Sequence, residues 1–186
     1  VFTRPQGLLI SFDSRMNPFS FTPYFQRLEK EGKTKDMKFM SSSTIKDKIV
    51  SETISMINGH NQVSDMFDKM VVLDNTYRWV PSYEPKKEDS VEHTAKRLNV
   101  EPVSLMYEWL CTDNNGLPGN GVLWRPMFQS DPNLDPIMNS FSFDHALPGV
   151  GDGGAHGTVF TDATANTNLL SWWVRDRPIG KLKIET

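Results

Sequence analysis

Between Pro148 and Gly157 the chain reads Pro-Gly-Val-Gly-Asp-Gly-Gly-Ala-His-Gly, which sets one carboxylate, Asp152, and one imidazole, His156, among glycines. The glycines let the backbone turn sharply and let a ligand or metal come close. A carboxylate placed this way can ligate a hard or borderline cation, or take a proton from a bound water. The competing reading is an Asp that bonds its own backbone in a turn, and residue type alone favours it. His156 stays open between orienting the carboxylate, touching substrate and holding the turn. Arg4 and Arg125 each stand near a strand candidate, where either can clamp a substrate carboxylate through paired hydrogen bonds. Nothing in their spacing separates them from salt-bridge arginines.

Other constellations weigh less. Gly149 to Gly154 satisfies G-x-G-x-x-G, and Asp176 follows at about the distance of a ribose-binding acid. A carboxylate inside that loop repels pyrophosphate, Pro148 abuts the first glycine, and Asp176 ends a helix candidate, so the nucleotide reading loses. Asp113-Asn114-Asn115-Gly116 lacks the spacing and terminal Glu of a calcium loop and reads as a turn. Arg175-Asp176-Arg177 reads as a structural set at a helix C-terminus, with Asp176 free to pair with either arginine. The remaining histidines, His60, His93 and His145, are not spaced as a metal pair, and the chain holds neither His-x-His nor His-x-x-x-His. Catalytic zinc needs about three protein ligands, so Asp152 is at most one of a set.

The elements that must position these groups alternate between strand and helix. Gly7 to Phe12 reads as a buried strand, Asn17 to Tyr24 as a packed aromatic loop, and Thr22 or Pro23 to about Lys30 as a helix. Ser43 to Met56 reads as a helix capped by Ser43 or Thr44, with Ile45, Ile49, Ile54 and Ile57 on its apolar side and a stop at Gly59-His60-Asn61. Met70 to Leu73 is a strand candidate and Pro81 to Pro85 a turn. Helices are expected over Glu88 to Leu98, carrying Val91, Ala95 and Leu98, and over Pro102 to Thr112, grouping Leu105, Met106, Trp109 and Leu110. Gly121 to Phe128 reads as a strand, Asn133 to Phe141 as a short helix, and Phe143 to Gly151 as the strand that delivers Asp152. Asp162 then caps a helix from Ala163 to about Trp173. This alternation favours an α/β fold. The stretch 22–112 is too helical and too long for an ordinary connection and is expected to be an inserted lid or subdomain.

Length and charge bound the function. A chain of 186 residues builds one core. The net charge of −3 argues against a general nucleic-acid binder, and the lysines between Lys30 and Lys38 are interrupted by Glu31 and Asp36, as on a solvated face. No apolar run approaches the roughly 18 residues of a membrane span. A single cysteine, Cys111, excludes an intrachain disulfide and is compatible with a reducing, cytoplasmic setting.

Gly151-Asp152-Gly153-Gly154-Ala155-His156, then Asp162-Ala163, Leu169-Leu170 and Trp173-Val174-Arg175-Asp176-Arg177, resembles the C-terminal barrel region of the N-acyl-D-amino-acid deacylases, which are metal-dependent amidohydrolases. Arg4-Pro5-Gln6-Gly7-Leu8-Leu9, Asn17-Pro18-Phe19, Tyr83-Glu84-Pro85 and Asn133-Leu134-Asp135 are similar to further family landmarks in the family's order, so the resemblance spans most of the chain. It implies the C-terminal part of an amidohydrolase-type (β/α)8 TIM barrel over residues 1–186, with 22–112 as a largely helical insertion. A closed barrel of this kind takes about 250 residues, and the start on Val1 without an initiator Met agrees with a fragment. The resemblance also implies hydrolysis of the amide of an N-acyl-D-amino acid or a related amide. It makes Asp152 the metal-facing carboxylate and proton acceptor, which reverses the preference for a turn Asp, and it places His156 near the site. Zinc is the expected cofactor, with its remaining ligands upstream of Val1, since Cys111 does not match the family's ligand Cys. A small N-acyl amino acid is the expected partner, with neither nucleic acid nor membrane, and the chain by itself is expected to be inactive. The alternative is a non-catalytic α/β packing or interaction module in which Asp152 only makes a turn.

Overall fold

The computed structural model describes residues 8–14, 17–57, 67, 70–72, 84, 86–111, 122–124, 133–147 and 165–183. The chain divides into two compact units, one formed by residues 7–126 and one by residues 1–6 with 127–186.

In the first unit the chain begins with β1 (Leu8–Ile10) and a 3-10 turn, Pro18–Phe21, before α1 (Pro23–Lys30). Two side chains set these boundaries. Asn17 accepts from the Phe19 amide at 3.0 Å and donates to the Phe12 carbonyl at 3.2 Å, while Thr22 accepts from the Phe25 amide at 3.3 Å to cap α1. Pro23, with no amide to satisfy, opens α1. A 3-10 turn at Lys33–Lys35 and a short α2 (Met37–Met40), capped by Asp36, lead into the long α3 (Ser43–Ile57). The Ser42 carbonyl accepts from the Lys46 amide, so the cap falls one residue before the expected Ser43. Ile45, Ile49, Val50 and Thr53 are the buried residues of α3, whereas Ile54 and Ile57 are only half-buried. At 3.6 residues per turn the contact stripe passes through 45, 49 and 53 and leaves the following isoleucines at its edge.

The later described elements of this unit are β2 (Met70–Val72), a 3-10 turn at Lys87–Asp89, α4 (Val91–Leu98), α5 (Pro102–Cys111) and β3 (Val122–Trp124). Ser90 caps α4, accepting from the His93 amide at 3.2 Å, and Asn99 ends it at φ 55°, a left-handed position that suits Asn. The core gathers rings from distant segments. Phe12 lies 6.0 Å from Phe19, 5.9 Å from Phe25 and 5.2 Å from Tyr107, and Phe19 meets Tyr107 edge-on at 5.2 Å. The Tyr107 hydroxyl donates to the Met40 carbonyl at 2.9 Å, tying α5 to the end of α2.

The three strands form a sheet in the order β1-β3-β2, antiparallel at both junctions, with Leu8 and Met70 both opposite Trp124. This overturns the expected (β/α)8 barrel and the α/β class. A barrel needs parallel strands separated by crossover helices, and the described chain is predominantly helical with three strands of three residues. The apolar runs at Leu8, Met70 and Val122 were strands as expected, but strand type alone does not specify the neighbour or its direction. Phe143–Leu147, expected to begin the strand leading to Asp152, forms turns and bends instead.

In the second unit α6 (Asp135–Ser140) and α7 (Ala165–Asn168) are followed by a π-helix, Leu169–Asp176. Its wider pitch is visible where the Arg177 amide donates to the Trp172 carbonyl at 2.8 Å, five residues back.

Candidate functional site

Asp152, His156, Arg4 and Arg125 lie outside the described residues, as do Gly149–Gly154 and Asp113–Gly116. What the structure does describe near them in sequence is the segment that follows. Arg177, with only 3% of its side chain exposed, donates from Nη2 to Asp135 at 2.6 Å and from Nη1 to the Gly180 carbonyl at 3.1 Å, and its guanidinium lies 4.9 Å from the Trp173 ring centroid. Asn133 accepts from the Asp135 amide at 2.8 Å, and Phe141 packs edge-on against Trp173 at 5.2 Å. The Asn133-Leu134-Asp135 segment and the Trp173-to-Arg177 segment, separated by more than thirty residues, therefore meet around one buried cation. Arg177 and Asn133 together hold the Asp135 carboxyl below its ordinary value of 3.8. Asp176 pairs with Arg175 at 2.6 and 2.8 Å and not with Arg177, so the two arginines of Arg-Asp-Arg take different partners. Sequence alone left that choice open, and the deciding fact is that Arg177 turns inward at the end of the π-helix while Arg175 stays exposed.

The first unit holds a cleft of about 410 Å³ lined by Ser41, Ser43, Lys46, Tyr107, Glu108 and Cys111. The start of α3 supplies Ser43 and Lys46, and the last turns of α5 supply Tyr107, Glu108 and Cys111. Lys46 and Glu108 form an ion pair across it. Burial pushes the Cys111 thiol up to about 11, against the smaller opposing influence of the Ser41 and Tyr107 hydroxyls and the Lys46 ammonium. Burial likewise raises the Tyr107 phenol well above its usual range, with Cys111 and Tyr24 adding to it. Both groups stay protonated at neutral pH, so Cys111 is a poor nucleophile and a poor metal ligand here. Sequence reasoning missed this grouping: Lys46 and Glu108 are 62 positions apart and each reads as an ordinary solvated residue on an amphipathic helix.

Among the described residues no three His, Cys, Asp or Glu side chains come together to hold a metal. Cys111 is held neutral, and His93 engages Ser90 through Nδ1 at 2.9 Å. The described donors do not make a zinc site. Among the same residues no helix is long and apolar enough to cross a membrane. Comparison of the chain with protein-family models, with curated proteins and with solved structures returned no match.

Proposed function

We propose that this chain is part of a metal-dependent amidohydrolase that hydrolyses the amide of N-acyl-D-amino acids or related amides, and that it is inactive by itself. The observation that carries this reading is the run Gly151-Asp152-Gly153-Gly154-Ala155-His156 with its ordered companions along the chain. In this reading Asp152 is the metal-facing carboxylate and accepts a proton from water, while His156, Arg4 and Arg125 hold the substrate, a small N-acyl amino acid. Zinc is its cofactor, and Asp152 is one donor. One carboxylate does not retain zinc, so the reading assigns the other donors to polypeptide upstream of Val1. The lone Cys111 suits the reducing cytoplasm.

The test is the full-length product of the gene that encodes this chain. It should carry a His-x-His pair, retain zinc on gel filtration and hydrolyse an N-acetyl-D-amino acid in preference to its L-enantiomer. Asp152→Ala should lower kcat by about 100-fold or more, and the 186-residue chain alone should hydrolyse neither. Activity in the isolated chain, or full activity in Asp152→Ala, would end the proposal. A zinc-free, inactive product would instead favour a non-catalytic interaction module.

A further inference from the structure

The cleft in the first unit plays no part in the hydrolase reading, and its chemistry points elsewhere. It is an open depression of about 410 Å³. Its rim carries one ammonium and one carboxylate side by side. Lys46 sits on α3 with 23% of its side chain exposed, and Glu108 sits on α5 with 56% exposed. Lys46 is partly buried and Glu108 is exposed, so a ligand that enters here must replace the pair with two charges of its own and leave neither group unmatched. Two hydroxyls, Ser41 and Ser43, border the same opening; Ser41 donates to the Met37 carbonyl at 2.6 Å and keeps its lone pairs as acceptors. The floor is made by Tyr107 and Cys111, both protonated and therefore uncharged at neutral pH.

A simple anion drawn to Lys46 would sit against the Glu108 carboxylate, and a simple cation drawn to Glu108 would sit against the Lys46 ammonium. A molecule carrying an ammonium and a carboxylate on one carbon satisfies both. We propose that this cleft binds a free α-amino acid as its zwitterion, with the carboxylate on Lys46 and the Ser43 hydroxyl, the ammonium on Glu108, and the side chain toward Tyr107 and Cys111. The proposal is independent of the hydrolase reading, because every residue it uses lies in the 7–126 unit and none is a candidate for the amide chemistry.

Alanine, in either enantiomer, is the probe. Titrated into the isotopically labelled 186-residue chain, it should give saturable shifts at Ser43, Lys46 and Glu108 with a millimolar midpoint. Acetate, ethylammonium and N-acetylalanine, each lacking one of the two charges, should give none at the same concentration. Lys46→Met and Glu108→Gln should each weaken alanine binding at least tenfold with the helical circular dichroism unchanged, and Lys46→Arg, which keeps the charge, should retain it. Asp152→Ala should bind alanine like the parent chain, which keeps this result separate from the fate of the hydrolase reading. Three outcomes would overturn the proposal: no saturable shift up to about 50 mM alanine, an equal response to acetate, or unchanged binding in both Lys46→Met and Glu108→Gln.

Discussion

In the 7–126 unit the most buried large groups are rings and aliphatic chains: Phe19, Phe25, Ile49, Met106 and Tyr107 are all fully enclosed, and the one polar atom among the rings, the Tyr107 hydroxyl, has its carbonyl. In the C-terminal unit Trp173 and Leu134 are equally enclosed, but the group between the packed segments is the guanidinium of a buried arginine, bonded to an aspartate whose side chain remains more than half exposed. The first arrangement is held by apolar area removed from water, which is non-directional and tolerant of small shifts. The second depends on a planar cation meeting an oxygen, a carbonyl and a ring face at once, so it is stringent about geometry. The two units should therefore fail differently when cut.

The largest effect is expected at Tyr107. Replacing it by Ala removes two ring contacts and a buried hydrogen bond, and should cost about 3–5 kcal/mol in urea unfolding. Tyr107→Phe keeps the rings, loses the hydroxyl with its bond to the Met40 carbonyl and its contact with Cys111, and should cost about 1 kcal/mol. If the two substitutions cost the same, the hydroxyl and not the ring holds this core, and the contrast between the units collapses.

Arg177 comes next. Arg177→Leu removes the pair with Asp135 and the bond to Gly180 and should cost about 2 kcal/mol. Arg177→Lys should recover little of this, because an ammonium cannot bond Asp135 and Gly180 while lying flat on Trp173. Full rescue by Lys would show that charge alone, and not the planar fork, organises this unit. Acid sharpens the same point. Asp135 is held below its ordinary value, so its stabilising contribution is present above about pH 4 and is lost as pH falls through the lowered value, which Asp135→Asn should abolish.

Two glycines allow a matched comparison. Gly32 in the first unit and Gly180 in the second adopt nearly the same left-handed backbone, φ 70° and φ 65°. A Cβ on Gly32 would meet nothing within 4 Å, whereas on Gly180 it would lie 2.7 Å from Arg177 Nη1. Gly32→Ala should therefore cost only the backbone strain, about 1 kcal/mol, and Gly180→Ala should cost more because it also displaces the buried arginine. Equal costs in thermal unfolding would mean that the Arg177 contact is soft.

How much of this was legible in the sequence follows from the range of each interaction. Caps and helix bodies are local, and the stretches around Pro23, Ser43, Val91 and Pro102 fold as helices close to where periodicity places them. The strands were found at Leu8, Met70 and Val122, but their antiparallel pairing through Trp124 was not, since direction is decided by partners fifty or more residues apart. Over Phe143–Leu147 the strand reading failed, because three apolar residues between turn formers satisfy a strand pattern and a turn equally well. The Asp135–Arg177 pair and the Lys46–Glu108 cleft have no local signature at all. The Asp152 motif was legible as sequence, and its geometry falls outside the described residues.

The smallest expected effect is a slope. Cys111 titrates near 11 in the folded chain and near its ordinary value of 9.0 when unfolded, with burial as the main cause. Between those values the unfolded chain has lost a proton that the folded chain retains, so stability falls as pH rises through this window and is unaffected below it. Tyr107 is shifted in the same direction and adds to the fall at the upper end. Cys111→Ala should flatten the decline measured by urea unfolding from pH 8 to 11, leaving the Tyr107 component. It should leave the acid limb untouched, because the carboxyls held low, Glu31, Asp135 and Asp176, titrate far below this window. The rate of Cys111 alkylation should rise with an apparent pKa near 11. A thiol that alkylates readily at pH 7 would mean that the floor of the cleft is wet, and the neutral, ring-lined interior that sets the first unit apart would not extend to its edge.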